Sequence, residues 1–312
     1  MSPTQHNTFT RRLDAVTTAT ETLLRSFLGE KPLTGEIARP TRLLSAMRHA
    51  AEGGKRLRPF LVIESAALFG VPELQALAVG AAFECVHCYS LVHDDLPAMD
   101  DDDLRRGRPT VHRAFDEATA ILAGDALLTL AFDILSREST HPDASTRIAL
   151  VLLLARASGI GGMAGGQMQD LEAEGRFAKD RQVLALSADE ISKLQSMKTG
   201  ALISAACEAG AILGRADAEA IRALKTFSHA FGLAFQLSDD LIDAEGDTKT
   251  VGKRIGKDAG RGKATLVAQL GITGARKQLS DLVAMAEASL SLFGNKAAML
   301  ISAAKFLATR EY

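Results

Sequence analysis

The chain has 312 residues, of which 47% are hydrophobic and 24% charged, and its formal net charge is −2 at pH 7. That much apolar material can bury a substantial core, as one large domain or two ordinary ones. A near-neutral chain has no global attraction for nucleic acid or an anionic membrane surface, so a nucleic-acid partner is not expected and any basic function must be local. Three cysteines do not make a disulfide framework and fit a reducing cytoplasm, the expected location. The start, MSPTQHNTFTRRLDAVTT, lacks the apolar stretch that a signal peptide carries after its basic residues. The longest apolar passages, such as RIALVLLLA at 147–155, fall short of the roughly 18 to 20 residues of a spanning helix, so no membrane span is expected.

Apolar residues recur at helical spacing along the chain. Leu61, Ile63, Ala66 and Ala67 begin the pattern, Leu74, Leu77, Ala78, Ala81 and Ala82 continue it, and Ala201, Ile203, Ala205, Ala209 and Ile212 repeat it. Alternating β-branched runs between turn pairs are absent, so an all-α protein is expected. Breaks are predicted at Gly70-Val71-Pro72, His141-Pro142-Asp143, Gly175, Leu213-Gly214 and across residues 245–263. None has the length of a domain linker. A single domain over 1–312 with about a dozen helices is the simplest account, with residues 1 to about 12 as a flexible extension.

Three short matches to known motifs carry little. Gly159, Gly161 and Ala164 fit a dinucleotide fingerprint, but no βαβ unit surrounds them, and glycines here more simply let two helices approach. Gly54-Lys55 resembles the end of a P-loop with Arg56 where Ser or Thr belongs. Cys85 and Cys88 lack a second ligand pair and read as small buried residues on a helix.

The stretch SLVHDDLPAMDDDDLRRG at 90–107 holds six aspartates and two adjacent arginines. Pro97 interrupts the helix soon after Asp95, so Asp100 must return by a turn to meet Asp94. A counterpart, FQLSDDLID, places Asp239, Asp240 and Asp243 at the end of a second apolar helical run. Asp239 and Asp243 are i, i+4 neighbours whose repulsion is unfavourable without a cation between them. Hard carboxylate oxygens with room for water suit Mg²⁺, which takes one or two carboxylates together with substrate phosphate. One such cluster would read as a solvated surface; two, each ending an apolar helix, point to a metal-diphosphate site. Cations complete the pattern: Lys55, Arg56 and Arg58 in GGKRLRP, Arg105 and Arg106 in DLRRG, Lys198 and Thr199 in MKTG, and Lys253, Lys257 and Lys263 in GKRIGKDAGRGKAT. Arginine grips phosphate oxygens bidentately and lysine acts as a point charge.

Together GGKRLRP, HCYSLVHDDLPAMDDDDLRRG, AGGQMQDLEAEG, KTGALI, FQLSDDLID and GKRIGKD followed by KAT closely resemble the bacterial-type farnesyl diphosphate synthases of the trans-polyprenyl synthase family, from about Leu43 to the C-terminus. The resemblance implies the isoprenoid synthase fold, an all-α barrel of helices around a deep central cavity, and a homodimer. It implies a Mg²⁺-dependent prenyltransferase, with three ions per active site and Mn²⁺ as a substitute. Its substrates are isopentenyl diphosphate and dimethylallyl or geranyl diphosphate, and its product is the C15 farnesyl diphosphate. By the same resemblance Asp94, Asp95, Asp100, Asp239 and Asp243 hold the metal, with Asp240 in support. Lys55, Arg58, His87 and Arg106 contact isopentenyl diphosphate. Arg105, Gln167, Lys198, Thr199, Gln236, Lys253 and Lys263 hold the allylic diphosphate, with Asp170 completing the G-G-Q-x-x-D motif, while His93 is left as structural. Tyr89, five residues before the first aspartate and flanked by Cys88 and Ser90, matches the floor that limits chain length.

Three alternatives compete. The small neighbours of Tyr89 leave room for a C20 geranylgeranyl synthase. A terpene cyclase conflicts with the second aspartate motif and with an aromatic content of only 5%. A non-catalytic partner subunit conflicts with two intact aspartate motifs. One departure from relatives is Val267 where proline is common, and Arg310 raises the question of a C-terminal closure.

Overall fold

The structure is a computed structural model, and it describes residues 3–180, 182–245 and 266–309. Helix carries nearly all of it, as the apolar spacing predicts. In chain order the elements are α1 (Pro3–Phe27), α2 (Thr41–Ala51), α3 (Leu57–Ala67), α4 (Glu73–Asp94), a two-strand hairpin of β1 (Leu104–Arg105) and β2 (Arg108–Pro109), α5 (Val111–Ala114), α6 (Glu117–Ser136), α7 (Ala144–Ser158), α8 (Met163–Ala173) and α9 (Ala188–Gln195). A π-helical turn (Ser196–Gly200) leads into α10 (Ala201–Leu213), then come α11 (Ala218–Glu245), α12 (Leu266–Ser289), a 3₁₀ turn (Ser291–Ala297) and α13 (Ala298–Thr309). Four of the predicted breaks fall between helices, and the fifth lies almost wholly outside the described residues. Residues 3–12, expected as an extension, are helical within α1.

The hairpin is the departure from an all-helical reading. Arg105 pairs with Arg108 across two antiparallel strands. Arg106 and Gly107 between them both have positive φ, 53° and 74°, the backbone that a two-residue hairpin turn requires. Two residues per strand leave no alternation for a sequence pattern to reveal.

The chain divides into two compact units. One contains Arg11–Ile63 and Pro72–Val151 and is built on α4, whose Val79, Ala81, Ala82, Phe83, Cys85 and Val86 are fully buried. A helix apolar on every side belongs inside a core. Helix α6 packs along α4, started by Asp116, whose carboxylate accepts from the Thr119 amide at 2.7 Å. The other unit contains Met1–Thr10, Glu64–Val71 and Leu152–Tyr312. There α10, α11, α12 and α13 pack together, the Ser238 hydroxyl donates to the Leu307 carbonyl at 2.9 Å, and Phe9 meets Phe306 with ring centroids 5.2 Å apart.

The expectation that no segment reaches membrane-spanning length needs correction. Glu73–Asp94, Glu117–Ser136 and Ala144–Ala173 are each long and apolar enough to cross a membrane by length and composition. Uninterrupted apolar runs undercount such helices, because single polar residues such as Glu84 and His87 split them. In α4, 67% of the apolar window is buried inside the protein, so the fold itself accounts for most of that surface.

Helices α3 and α10 approach closely at Gly210, where a Cβ would stand 2.5 Å from the Ala66 amide and 2.8 Å from the Ser65 carbonyl carbon. Backbone cannot yield as a flexible side chain does. Gly210→Val is expected to destabilise by about 1–3 kcal/mol, whereas Gly161→Ala, with nothing within 4 Å of its Cβ, should stay within about 0.5 kcal/mol of the parent. Thermal or urea denaturation checks both, and equal midpoints for Gly210→Val and the parent would contradict the tight crossing.

Candidate active site

Helix α4 ends at Asp94, with Asp95 as its C-cap donating its amide to the Leu91 carbonyl at 3.0 Å. The chain then turns at Leu96–Met99, and the Asp100 amide returns to the Asp94 carbonyl at 2.8 Å. This is the return that Pro97 demanded. It gathers the half-buried Asp94 and Asp100 at a helix C-terminus, the negative end of the helix dipole and the wrong end for carboxylates. Their placement there is unfavourable without a cation.

Asp95 is different. Only 3% exposed, its carboxylate receives Arg105 Nε at 2.7 and 2.9 Å and a terminal guanidinium nitrogen at 2.5 Å. Burial pushes this carboxyl upward and the Arg105 guanidinium pulls it back. A residue expected to bind metal and one expected to grip the allylic diphosphate thus satisfy each other, and the pair ties the hairpin to α4. Thr110 secures the same loop, its hydroxyl donating to the Asp102 carbonyl at 2.8 Å and its amide to the Asp103 carbonyl at 3.0 Å.

Opposite the hairpin lies the GGKRLRP loop. Arg106 donates to the Gly53 carbonyl at 2.6 Å. Lys55 is exposed and Arg58 half-buried. His87 on α4 is partly exposed at its surface, and its imidazole is held well below the usual range, first by burial and then by the guanidiniums of Arg58, Arg106, Arg105 and Arg56. The structure therefore brings together three of the four expected isopentenyl diphosphate contacts, His87, Arg58 and Arg106, in one cationic patch. It also buries two charged residues, of which the sequence reading counted Arg56 among the phosphate-gripping cations and gave Glu84 no role. Arg56 is buried and ion-paired to Glu84 of α4 at 2.7 Å. No periodicity marks a buried charge on an apolar helix.

Tyr89 is half-buried on α4, its ring edge-on to His93 at 5.7 Å between centroids. Burial and the nearby Asp94 push its phenol upward. His93 Nε2 lies 3.1 Å from the Ile121 carbonyl of α6, in keeping with a packing role. Cys88 is 1% exposed with its thiol pushed up to about 12 by burial, and Ser90 donates to the His87 carbonyl at 2.9 Å.

The remaining residues stand in the other unit. Lys198, in the π-helical turn, contacts Asp170 of α8 at 2.5 Å. Gly166 permits the approach of α8 to this turn, since a Cβ there would stand 2.3 Å from the Lys198 amide. Gly161 makes no such contact, so the close helix approach falls at Gly166 and not within the fingerprint-like glycines. Gln167 is half-buried on α8. The Thr199 hydroxyl donates to Gln236 Oε1 at 3.2 Å, and the buried Asp240 accepts from Gln236 at 2.8 Å and from Gln195 at 3.2 Å. Asp239 and Asp243, one turn apart on α11, are half-buried. Lys253, Lys257, Lys263 and Arg310 lie outside the described residues.

Among the described residues, no three His, Cys, Asp or Glu side chains converge closely enough to hold a metal ion alone. The donors nevertheless fit Mg²⁺. They are all oxygen, they come as one or two carboxylates at a time, and substrate phosphate supplies the rest of such a shell.

A family description, Polyprenyl synthetase, matches residues 40–297. The chain belongs to the polyprenyl synthetase family. This synthetase is 46% identical over 286 residues to a farnesyl diphosphate synthase of Escherichia coli, with 90% of this chain and 91% of the relative covered. It is 40% identical over 275 residues to a farnesyl diphosphate synthase of Geobacillus stearothermophilus, covering 88% and 90%. Among solved structures it resembles an FPP/GFPP synthase of Zymomonas mobilis with a TM-score of 0.85 at 44% identity, covering 97% and 99%.

The histidine supplies a test. Because the folded pKa of His87 lies below the unfolded value of 6.5, the unfolded chain binds the extra proton and acidification destabilises the fold. The His87 contribution is complete above pH 6.5 and is lost as the pH falls from there through the folded pKa. Imidazole NMR should find His87 neutral at pH 6.5, and a ring half-protonated at that pH would contradict the arginine-crowded environment.

Proposed function

We propose that this chain is a trans-prenyltransferase that condenses isopentenyl diphosphate with dimethylallyl and then geranyl diphosphate to give the C15 product, farnesyl diphosphate. The observation that carries the reading is the closed loop at the C-terminus of α4, where Asp94 and Asp100 are drawn together while Arg105 satisfies Asp95. Family membership and the farnesyl diphosphate synthase relatives supply the reaction class. The chain acts as one isoprenoid synthase domain, as a homodimer in the cytoplasm.

Asp94, Asp100, Asp239 and Asp243 would hold the ions, with Asp240 steadied by Gln195 and Gln236. With substrate bound, three Mg²⁺ held there would neutralise the allylic diphosphate and make it a better leaving group. Lys198 and Thr199 orient that diphosphate, and Asp170 holds the Lys198 ammonium in place. Lys55, Arg58, His87 and Arg106 hold the second diphosphate by cationic and hydrogen-bonding contacts without metal.

As the allylic C–O bond breaks, its electron pair leaves with the diphosphate and an allylic cation remains. The double bond of isopentenyl diphosphate adds to that cation, forming the new C–C bond. A proton is then lost, and the released diphosphate accepts it, since no described side chain stands out as a base. Apolar surroundings keep water from the cation. Tyr89 stops the growing chain at C15.

Purified protein with Mg²⁺, isopentenyl diphosphate and each of dimethylallyl, geranyl and farnesyl diphosphate should give C15 from the two shorter starters and leave farnesyl diphosphate unextended. Efficient extension to C20 would overturn the chain length, and no condensation from any starter would overturn the function. Chelation of divalent metal should abolish turnover. Asp94→Ala or Asp239→Ala should lower kcat by roughly 10²-fold or more without unfolding the chain, and near-normal turnover in either would remove that residue from the metal site. Tyr89→Ala should lengthen the products, which mass spectrometry reads directly; an unchanged profile would remove Tyr89 from the floor.

A further inference from the structure

The loop from Glu52 to Arg56 is more constrained than its glycines suggest. Gly53, Gly54 and Arg56 all have positive φ, at 73°, 97° and 49°. For a residue as long as arginine this backbone persists only where its surroundings impose it. Three clamps do so. Arg106 donates to the Gly53 carbonyl and lies so close over Gly54 that a Cβ there would meet its guanidinium at 2.5 Å. The Thr17 hydroxyl of α1 donates to the Lys55 carbonyl at 3.4 Å. Arg56 turns inward, its side chain fully buried, to reach the Ala51 carbonyl at the end of α2, Glu84 of α4 at 2.7 Å and Glu21 of α1 at 3.4 Å. One guanidinium thereby ties the loop to three helices.

For stability alone the Arg56–Glu84 pair is a poor choice. Arg56 Nε and Glu84 Oε2 are buried with no hydrogen-bond partner. Removing two charges from water is expensive, and buried ion pairs are often equalled or bettered by apolar side chains of the same volume. What the pair supplies that an apolar pair cannot is directional anchoring of a strained backbone. The residues this backbone carries are Lys55, immediately before Arg56, and Arg58, two residues after it.

We infer that Arg56 and Glu84 are a positioning pair for isopentenyl diphosphate, holding Lys55 and Arg58 at the spacing its diphosphate requires. The inference rests on the assignment of Lys55 and Arg58 in the proposed function. Neither Arg56 nor Glu84 touches substrate in this account; each acts through the loop.

The test is the double variant Arg56→Met/Glu84→Leu, which replaces the pair by apolar side chains. Its thermal midpoint should equal or exceed that of the parent. Its KM for isopentenyl diphosphate should rise about tenfold or more, since small misplacement of binding groups is costly, while the KM for geranyl diphosphate stays unchanged. Equilibrium binding of isopentenyl diphosphate alone, by calorimetry, should weaken by the same factor. A double variant as stable as the parent with unchanged KM and affinity for isopentenyl diphosphate overturns the inference, because the pair would then only fill the core. Should the double variant fail to fold, Arg56→Lys decides: it keeps a cation beside Glu84 but replaces the planar fork that spans Ala51, Glu84 and Glu21 by a single nitrogen, and it must show the same selective rise in KM. An unchanged KM in that variant also overturns the inference. The parent protein separates this inference from the reading beneath it, since a parent that neither binds nor condenses isopentenyl diphosphate removes both, whereas a competent parent with competent variants removes only this one.

Discussion

The structure around α4 depends on one electrostatic constraint, the concentration of carboxylates where a helix already ends in negative charge. Six aspartates lie within residues 94–103, beginning at the last residue of α4. Acids at this end of a helix are repelled by its dipole and by one another. The protein settles part of that charge within the loop itself. Arg105 takes Asp95, the one aspartate of the group that is fully buried, and backbone bonds to Asp94, Leu96 and Asp95 fold the loop back on the helix. Asp94 and Asp100 are what a metal-diphosphate complex would then meet.

The same economy appears in the other unit, where four candidate side chains are held by neighbours. Asp170 fixes Lys198, Gln236 receives Thr199, and Asp240 is fixed by two glutamines. Backbone irregularity falls at or beside candidate residues in both units. Arg56, Asp101 and Arg106 are three of the four described non-glycine residues with positive φ, and Lys198 and Thr199 ride a π-helical turn. Such conformations are unfavourable in isolation and survive where packing and hydrogen bonds over-determine them. Pre-organised charge is what ionisation chemistry needs, because donors already in place need not reorganise as the bond breaks.

Much of this was legible in the residues. Helical spacing identified the helices, and Pro97 required the return of Asp100 to Asp94, which the backbone makes. The acid and base motifs named most of the groups that the structure clusters. What was hidden is instructive. Asp95 and Arg105 were both read as ligand-binding residues, and their mutual pairing depends on a hairpin too short to show any alternation. Arg56 read as one more phosphate-binding cation, and Glu84, a charge inside an apolar helix, looks like an interruption until its partner, 28 positions away, is known. Membrane-length helices were undercounted for a related reason, since a single polar residue divides an apolar run without changing what the helix buries.

The central claim is that the carboxylates are arranged for a metal-diphosphate complex and not for a bare ion. Thermal unfolding of the whole protein with Mg²⁺ alone, inorganic diphosphate alone and the two together tests it most directly, because a ligand that binds only the folded state raises stability by an amount that grows with the logarithm of its concentration over its Kd. The account predicts a small shift with Mg²⁺ alone and a shift with both that clearly exceeds the sum of the separate ones. A full shift with Mg²⁺ alone, or a diphosphate shift indifferent to Mg²⁺, would contradict it.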